Sequence, residues 1–204
     1  MLKIGVLASG EGTNFQAIAD FLKRSDTPGQ LVMLISNRKD AGALRRASNE
    51  GIKNLYLAPR DYPNKTEYDK ALISELQKEE VELVILAGYM KLLTALFIDA
   101  YPGKIMNIHP SLLPAFPGLD GVRQAMRYGV KITGCTVHFV DKGLDTGPII
   151  LQDSVPVLQE DTEETLQQRV HASEHRIYPR AVDLFCRGKI KVTGRRCIIN
   201  GKKE

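Results

Sequence analysis

The chain has 204 residues, 43% of them hydrophobic and 25% charged, which suits one compact domain with room for a sizeable core. Its formal net charge of +4 is a mild bias that favours anionic small molecules over nucleic acid as partners. The three cysteines, Cys135, Cys186 and Cys197, are odd in number and widely spaced, which argues against a disulfide framework or a cysteine zinc site.

The first half of the chain alternates strand-like apolar runs with helix-like segments. The opening run, MLKIGVLASG, is too soon broken by glycine to be a signal peptide or a membrane span, so we expect a soluble, cytoplasmic protein without a membrane partner. In chain order the strand and helix pairs are KIGVLA and TNFQAIADFLKR, LVMLISN and AGALRRASNE, NLYLA and TEYDKALISELQKEE, LVILAG and TALFIDAY, followed by the strand KIMNIH. This alternation predicts an α/β fold, with a Rossmann-like, mostly parallel sheet covered by helices on both faces.

The pattern changes beyond residue 130. Two strand-like runs, ITGCTVHFV and PIILQDSVPV, are joined by the Gly- and Asp-rich turn DKGLDTG, which predicts an antiparallel C-terminal extension of the sheet. We expect a helix from about Thr162 that is interrupted at Pro179. KIKVTGRRCII should then form a hairpin, and the chain closes with a basic last stretch, GRRCIINGKKE.

The first loop, VLASGEGTNFQ, has features of a phosphate site. Gly10 and Gly12 allow a tight backbone turn, and Thr13 or Asn14 can cap a helix whose amides and positive end attract an anion. The dinucleotide pattern GxGxxG is not met, because Phe15 stands where a third glycine or alanine is needed, and a Walker lysine is missing too. The loop therefore favours one mononucleotide or sugar phosphate, with an ordinary glycine turn as the alternative.

A second stretch, KIMNIHPSLLPAFPG, places an Asn and a His at the end of a strand. Asn107 and His109 are two residues apart on an extended chain, so their side chains point to the same side, at the edge where open α/β sheets place their chemistry. Together an amide and an imidazole can stabilise the oxyanion of a tetrahedral intermediate. Asp145, in the later turn, could favour the charged form of the imidazole.

Each of these residues also has a simpler explanation. Asn107 and His109 could merely tie down a proline-rich loop, and an aspartate in a glycine-rich turn such as Asp145 often serves the turn itself. Ser111 is followed by LLP and lies outside any GxSxG elbow, so a covalent serine intermediate is poorly supported. A nucleophile that the substrate supplies fits the pattern better.

Four motifs follow one another along the chain: SGEGTN at residues 9–14, AGYMKLL at 87–93, NIHPSLLPAFPG at 107–118 and VHFVDKGLDTGPII at 137–150. The same order occurs in the folate-dependent formyltransferases, which the chain resembles along almost its whole length. Its size and first loop are most similar to the branch that formylates glycinamide ribonucleotide with 10-formyltetrahydrofolate in purine (IMP) biosynthesis. The resemblance implies a single formyltransferase domain over residues 1–204, with a nucleotide-binding half over about 1–100 and a folate-binding and catalytic half over about 101–204.

The resemblance implies that Asn107, His109 and Asp145 are catalytic. The amine of glycinamide ribonucleotide would attack the formyl carbon directly. His109, kept protonated by Asp145, would stabilise the oxyanion together with Asn107 and help to protonate the departing folate nitrogen.

The resemblance also implies two sets of ligand contacts. Those for glycinamide ribonucleotide are Gly12, Thr13 and Asn14 at the phosphate, and His171, Ala172, Ser173 and Glu174 near the ribose. Those for formyl-folate are Lys65, Met90, Lys91, Leu92, Leu93, Asn107, Asp141, Lys142, Gly143, Leu144 and Asp145. Arginine is more usual at the positions of Lys65 and Lys91, and lysine gives a less bidentate contact with carboxylates. Serine is more usual at Thr13, and the residues after PAFPGL, Asp120 to Val122, also depart from some relatives.

Glu174 is singled out by the pattern of its own helix. Leu166, Val170, Glu174 and Tyr178 follow one another at spacings of four, which places a carboxylate on the apolar stripe. A buried charge needs a partner, which could be a nearby arginine such as Arg176 or Arg180, or the ribose hydroxyls that the resemblance implies.

Other classes of protein remain as alternatives. HASEH matches the zinc pattern HxxEH, with His171 and His175 as ligands and Glu174 as base, although we see no third ligand and expect no metal. His138 is expected to be a strand residue or a support for the site. A non-catalytic binding module could share the fold.

Two related enzymes share the formyl-folate site. Formyltetrahydrofolate hydrolase usually carries an extra domain before this unit, and the formyltransferase of initiator methionyl-tRNA carries one after it. We expect 204 residues to leave space for neither, and the hydrolase is kept as the alternative function. We therefore expect small-molecule partners, no nucleic acid, and a monomer or homodimer.

Overall fold

The structure is a computed structural model that describes residues 1–200. The chain divides into two compact units, the first over residues 1–106 and the second from Asn107 onward. The prediction of a single domain is not tested by this division and stays a prediction. Within residues 1–200 no helix is both long and apolar enough to cross a membrane. The last four residues of the basic terminal stretch lie outside the described part of the chain.

The first unit is built from alternating strands and helices. They are β1 (Leu2–Ala8), α1 (Thr13–Arg24), β2 (Gly29–Ser36), α2 (Gly42–Asn49), β3 (Lys53–Tyr56), a short 3-10 helix (Pro59–Asp61), α3 (Lys65–Lys78), β4 (Leu83–Leu86) and α4 (Ala95–Ala100). The strands lie in the order β3-β2-β1-β4, and β1 pairs in parallel with β2 and β4. Because β1 and β4 are buried along most of their length, they read as continuous apolar runs. Ile4 and Leu83, which are register partners, are both fully buried.

The second unit holds the antiparallel part of the fold. β5 (Ile105–His109) spans the boundary between the units and is followed by α5 (Gly121–Tyr128), β6 (Ile132–Phe139), β7 (Ile149–Pro156), α6 (Glu163–Cys186), β8 (Ile190–Thr193) and β9 (Arg196–Ile199). β6 and β7 pair antiparallel, with Thr136 opposite Gln152. β8 and β9 form the predicted hairpin, and β9 pairs in parallel with β7. The predicted α/β fold with a mostly parallel sheet and antiparallel C-terminal strands is confirmed.

Two helices differ from the predictions. α6 is 24 residues long and is not interrupted at Pro179. Pro179 and its neighbours Tyr178 and Val182 are buried, and their packing outweighs the hydrogen bond that the proline cannot donate. α5 was not predicted because its eight residues are too short for a clear period. Its one local signal is Gly129, whose left-handed backbone (φ 81°) ends the helix.

Candidate active site

His109 is the last residue of β5 and is almost fully buried, with 4% of its surface exposed. Its Nε2 atom donates to the carbonyl oxygen of Phe116 at 2.8 Å, and its Nδ1 atom lies 3.5 Å from Oδ2 of Asp145. A carbonyl and a carboxylate can only accept hydrogen bonds. Each ring nitrogen of His109 therefore faces a group that can only accept a hydrogen bond.

Asp145 faces this imidazole from the loop between β6 and β7. Its carboxylate also accepts the backbone N–H of Gly118 at 2.8 Å, and its own backbone has φ of 53°, in the left-handed region. The side chain of Asp141 makes the hydrogen bonds that stabilise the turn in the same loop. It accepts from Gly143 N–H at 3.0 Å and from Thr146 Oγ1 at 2.6 Å. Asp145 instead faces two imidazoles, since its Oδ1 atom also lies 3.8 Å from Nε2 of His138. Its catalytic role stays a prediction.

Asn107 is oriented by His138, a residue of β6. The ring nitrogen Nδ1 of His138 donates to the carbonyl of Phe139 at 2.8 Å, and Nε2 lies 3.3 Å from the amide nitrogen of Asn107. Burial lowers the pKa of His138, so the ring is neutral and Nε2 offers a lone pair. Asn107 therefore donates an amide hydrogen to His138. The expectation that His138 supports the site matches this contact.

The loop after β5 is held by a hydrogen-bond network that is buried at Ser111 and Thr136 and exposed at Gln152. Ser111 donates to the carbonyl of Ala115 at 2.5 Å, and Thr136 donates to the carbonyl of Ser111 at 2.7 Å and accepts the N–H of Leu113 at 3.0 Å. Gln152 then donates to the carbonyl of Leu113 at 2.9 Å. Ser111 is fully buried, which agrees with its rejection as a nucleophile. Thr136 and Gln152 were missed, because polar residues on strands carry no sequence signal for such a contact.

The first loop presents backbone groups rather than side chains, and it packs against α2. Gly12 has φ of 74° and is the residue that caps α1, so the prediction of Thr13 or Asn14 as the cap was wrong. A Cβ atom on Gly12 would come within 2.7 Å of Ala43 Cα. Ala43 N–H donates to the carbonyl of Gly10 at 3.1 Å, and Arg46 Nε donates to that of Glu11 at 2.8 Å.

The helix that follows this loop offers its positive end to an anion. Thr13 and Asn14 are the first two residues of α1, and the first turn carries no acidic side chain. N–H groups of a first turn have no carbonyl four residues before them inside the helix, and the helix dipole adds positive charge there. This arrangement fits the predicted phosphate site.

Comparison with known proteins identifies the family. The family described as Formyl transferase matches residues 2–182. The chain belongs to the formyl transferase family. It is 47% identical to the phosphoribosylglycinamide formyltransferase of Bacillus subtilis (strain 168) over 182 residues, which cover 89% of this chain and 93% of the relative.

Other members of the family include larger proteins and solved structures. The chain is 40% identical over 190 residues to the human trifunctional purine biosynthetic protein adenosine-3, and the match covers 93% of this chain but spans only 19% of that protein. The crystal structure of glycinamide ribonucleotide transformylase 1 from Symbiobacterium toebii has 53% identity and a TM-score of 0.96, and the match covers 98% of this chain and 94% of the other. The predicted resemblance to the formyltransferases is confirmed.

The family residues expected to contact folate in the first unit lie on two segments. Lys65 is the first residue of α3 and is exposed. Met90, Lys91 and Leu92 are exposed, whereas Leu93 is half-buried. In the second unit, Asp141, Lys142, Gly143 and Leu144 form the loop that carries Asp145, and Leu144 is 52% exposed.

The residues that the family resemblance places near the ribose all lie on α6, but they differ in how deeply they are buried. Ala172 is exposed and His171 is half-buried, whereas Ser173 and Glu174 are buried. The hydroxyl of Ser173 donates to Asp153 and lies 3.3 Å from the thiol of Cys135, so it faces the interior. The burial of Glu174 agrees with its place on the apolar stripe.

Two residues near Ser173 and Glu174, namely Arg176 and Cys135, have interactions or surroundings that restrict their roles. Arg176, which had been considered as a partner for Glu174, donates to Asp153. Burial raises the pKa of the Cys135 thiol to about 12, which keeps it protonated and unreactive.

Among residues 1–200 the zinc pattern HxxEH gains no third ligand. The rings of His171 and His175 are stacked, with centroids 6.4 Å apart. Residues 1–200 contain no group of three or more His, Cys, Asp or Glu side chains that could hold a metal ion. The expected absence of a metal stays a prediction.

Proposed function

We propose that this chain transfers the formyl group of 10-formyltetrahydrofolate to the amine of glycinamide ribonucleotide, a step of purine biosynthesis. The observation that carries the proposal is the set of buried His109 and half-buried Asp145 and Asn107, in a chain of the formyl transferase family. An oxyanion needs hydrogen-bond donors, and this set supplies an imidazolium and an amide.

In the proposed reaction a tetrahedral intermediate forms and then collapses. The amine of the nucleotide attacks the formyl carbon, a C–N bond forms, and the electron pair of the C=O bond moves to oxygen. Asn107 and His109 donate hydrogen bonds to that oxyanion. When the intermediate collapses, the bond from carbon to the folate nitrogen breaks. The folate nitrogen takes up a proton, and the attacking nitrogen loses one.

His109 must change one hydrogen bond for this role. Its Nε2 N–H donates a hydrogen bond to the carbonyl oxygen of Phe116. A ligand oxygen that develops full negative charge is a stronger acceptor than a neutral carbonyl. The proposal therefore has the oxyanion replace Phe116 as the acceptor, while Asp145 keeps the Nδ1 side of the ring in place.

The ligand contacts are assigned in the same proposal. The phosphate binds at Gly12, Thr13 and Asn14, and the ribose binds near His171, Ala172 and Glu174, with Ser173 contributing its backbone because its hydroxyl is engaged. Formyl-folate binds along Lys65, Met90, Lys91, Leu92, Leu93 and the loop Asp141, Lys142, Gly143, Leu144 and Asp145. The oligomeric state and the cytoplasmic location stay predictions.

The test is an assay of purified protein with both substrates. Absorbance follows deformylated folate, and mass spectrometry follows formylated nucleotide. Equal amounts of both products, lost together in the Asp145→Asn variant, are expected. Release of formate at the same rate without nucleotide would instead show the hydrolase, and no reaction of either kind would overturn the proposal.

A further inference from the structure

The segment that joins β4 to α4 exposes large apolar side chains although it is short. Met90 is 66% exposed and Leu92 is 67% exposed. Apolar side chains in such positions commonly mark a surface that a ligand covers. Both ends of this four-residue strip, residues 90–93, are held by buried polar groups of other elements, Ser9 and Asp69.

Ser9 holds the first end of the strip. Its side chain is buried, and its hydroxyl accepts the backbone N–H of Met90 at 2.8 Å while donating to Oδ1 of Asn37 at 2.6 Å. Its own backbone N–H donates to the carbonyl of Gly88 at 3.2 Å. The hydroxyl therefore serves as donor and acceptor at once, which fixes the direction of its bond to Met90.

Asp69 holds the other end. It is a buried residue of α3, and its Oδ2 atom accepts both the backbone N–H of Thr94 at 2.7 Å and the hydroxyl of Thr94 at 2.6 Å. Thr94 precedes α4, but its side chain makes no capping bond to that helix. Its hydroxyl is thus given to Asp69. Beside this contact, the hydroxyl of Tyr89 donates to that of Tyr68 at 3.2 Å.

We propose that Ser9 and Asp69 are positioning residues for the folate ring. They fix the backbone of residues 90–93 before the ligand arrives, so that less conformational entropy is lost on binding. This inference rests on the proposed function, which assigns this strip to formyl-folate. A merely structural role would lower stability without a selective effect on folate.

The test compares a graded set of variants. Asp69→Ala removes both hydrogen bonds to Thr94, Thr94→Ala removes one, and Asp69→Asn keeps an acceptor oxygen. Ser9→Ala releases the other end. Glu67→Gln and Ser74→Ala are matched controls on other faces of α3, since Glu67 is half-buried and pairs with Lys70 and Ser74 is exposed.

The expected result is selective for folate. Asp69→Ala and Ser9→Ala should raise the KM for 10-formyltetrahydrofolate by about tenfold, Thr94→Ala by less, and Asp69→Asn least. The KM for glycinamide ribonucleotide should change by no more than about twofold in the Asp69 and Thr94 variants, and both controls should match the wild type. Melting temperatures are measured for all variants, and Thr94→Ala carries the test if Asp69→Ala does not fold.

Two outcomes separate this inference from the proposed function. Equal rises in both KM values, or an unchanged folate KM in an active Asp69→Ala protein, would overturn the positioning role and leave the function intact. If the wild type transfers no formyl group, binding of tetrahydrofolate to the wild type and to Asp69→Ala is measured by anaerobic calorimetry. Equal affinity there, or no binding to either, overturns the inference as well.

Discussion

The two predicted centres of the molecule are built from different materials. The first loop presents backbone: Gly12 caps α1, Gly10 and Glu11 offer their carbonyls to α2, and acidic side chains are absent from the first turn of the helix. The centre in the second unit is made of side chains, with buried His109 held between Phe116 and Asp145. A backbone site should be sensitive to added volume and tolerant of changed side chains, whereas a side-chain site should respond to loss of charge.

The largest effect is expected from Asp145→Asn. Asparagine adopts the left-handed backbone of this position as readily as aspartate does, so the change removes the charge with little strain. His109 then loses the negatively charged acceptor that faces its Nδ1 atom, and we expect kcat to fall by about 10²- to 10⁴-fold. Steady-state kinetics and nucleotide binding are measured on the same preparation.

The control for this change is Asp61→Asn, an exposed aspartate at the end of the short 3-10 helix. It should leave kcat within about twofold of the wild type. A wild-type kcat in Asp145→Asn would show that the charge next to His109 is not used, whereas a large loss of nucleotide affinity would assign Asp145 to binding instead.

The next largest effect is expected from Gly12→Ala. A side chain at φ of 74° costs about 1–2 kcal/mol, and its Cβ would meet Ala43 Cα at 2.7 Å. The loop must shift, so the Kd for glycinamide ribonucleotide should rise by about tenfold or more. Calorimetric titration measures the Kd, and the melting temperature measures the strain.

Gly10→Ala provides the matched comparison in the same loop. A Cβ at Gly10 meets no atom within 4 Å, and its φ lies outside the left-handed region. We expect a change in Kd of no more than about twofold. Equal losses in both variants would contradict the view that close approach to α2 sets the shape of the loop.

Local pattern predicted more of the fold than of the contacts. The alternation of apolar runs located β1 to β5 and the first four helices, and α1 was predicted at Thr13–Arg24, as the structure has it. Short α5 was missed, and Pro179 was given too much weight, because packing of a long buried helix face is not a local property. Hydrophobic periodicity therefore predicted helices and strands correctly wherever the periodic segment was long and unbroken.

The candidate site shows the same limit. Asn107 and His109 could be placed at a strand end from spacing alone, and Asp145 could be suspected from its turn. Their partners could not, since Phe116 and His138 act through a backbone carbonyl and a ring tautomer. Such contacts depend on tertiary distances that no short motif encodes.

A smaller effect, dependent on pH, is expected at His138. Burial lowers its pKa in the folded state, so the stability that its neutral ring contributes is present above the ordinary histidine pKa of about 6.5 and is lost as pH falls toward the lowered value. Protonation would also remove the lone pair that Asn107 faces. His138→Gln keeps an acceptor oxygen without a titrating ring, so kcat at pH 7.5 should fall by less than about tenfold.

Melting temperatures at pH 7.5 and 5.0 test this sign. The wild type should lose more stability between the two values than His138→Gln loses. Other acid-sensitive groups are shared by both proteins, including Asp161, whose pKa is held below its usual range by Arg169. A parallel loss in the two proteins would show that His138 does not titrate in this range.

The smallest effect is expected at Asp120, a residue with a strained backbone to which we assign no part in the reaction. Like Asp145 it has a left-handed backbone (φ 59°), but it is exposed and pairs only with Arg123, at 3.4 Å among the contacts described. Asp120→Gly relieves the backbone and loses a surface ion pair, so the free energy of unfolding should change by less than about 1 kcal/mol. Urea denaturation measures this change, and kcat should match the wild type. A clear loss of kcat would mean that the backbone at Asp120 shapes the site, and the contrast with Asp145, which we assign to the reaction, would fail.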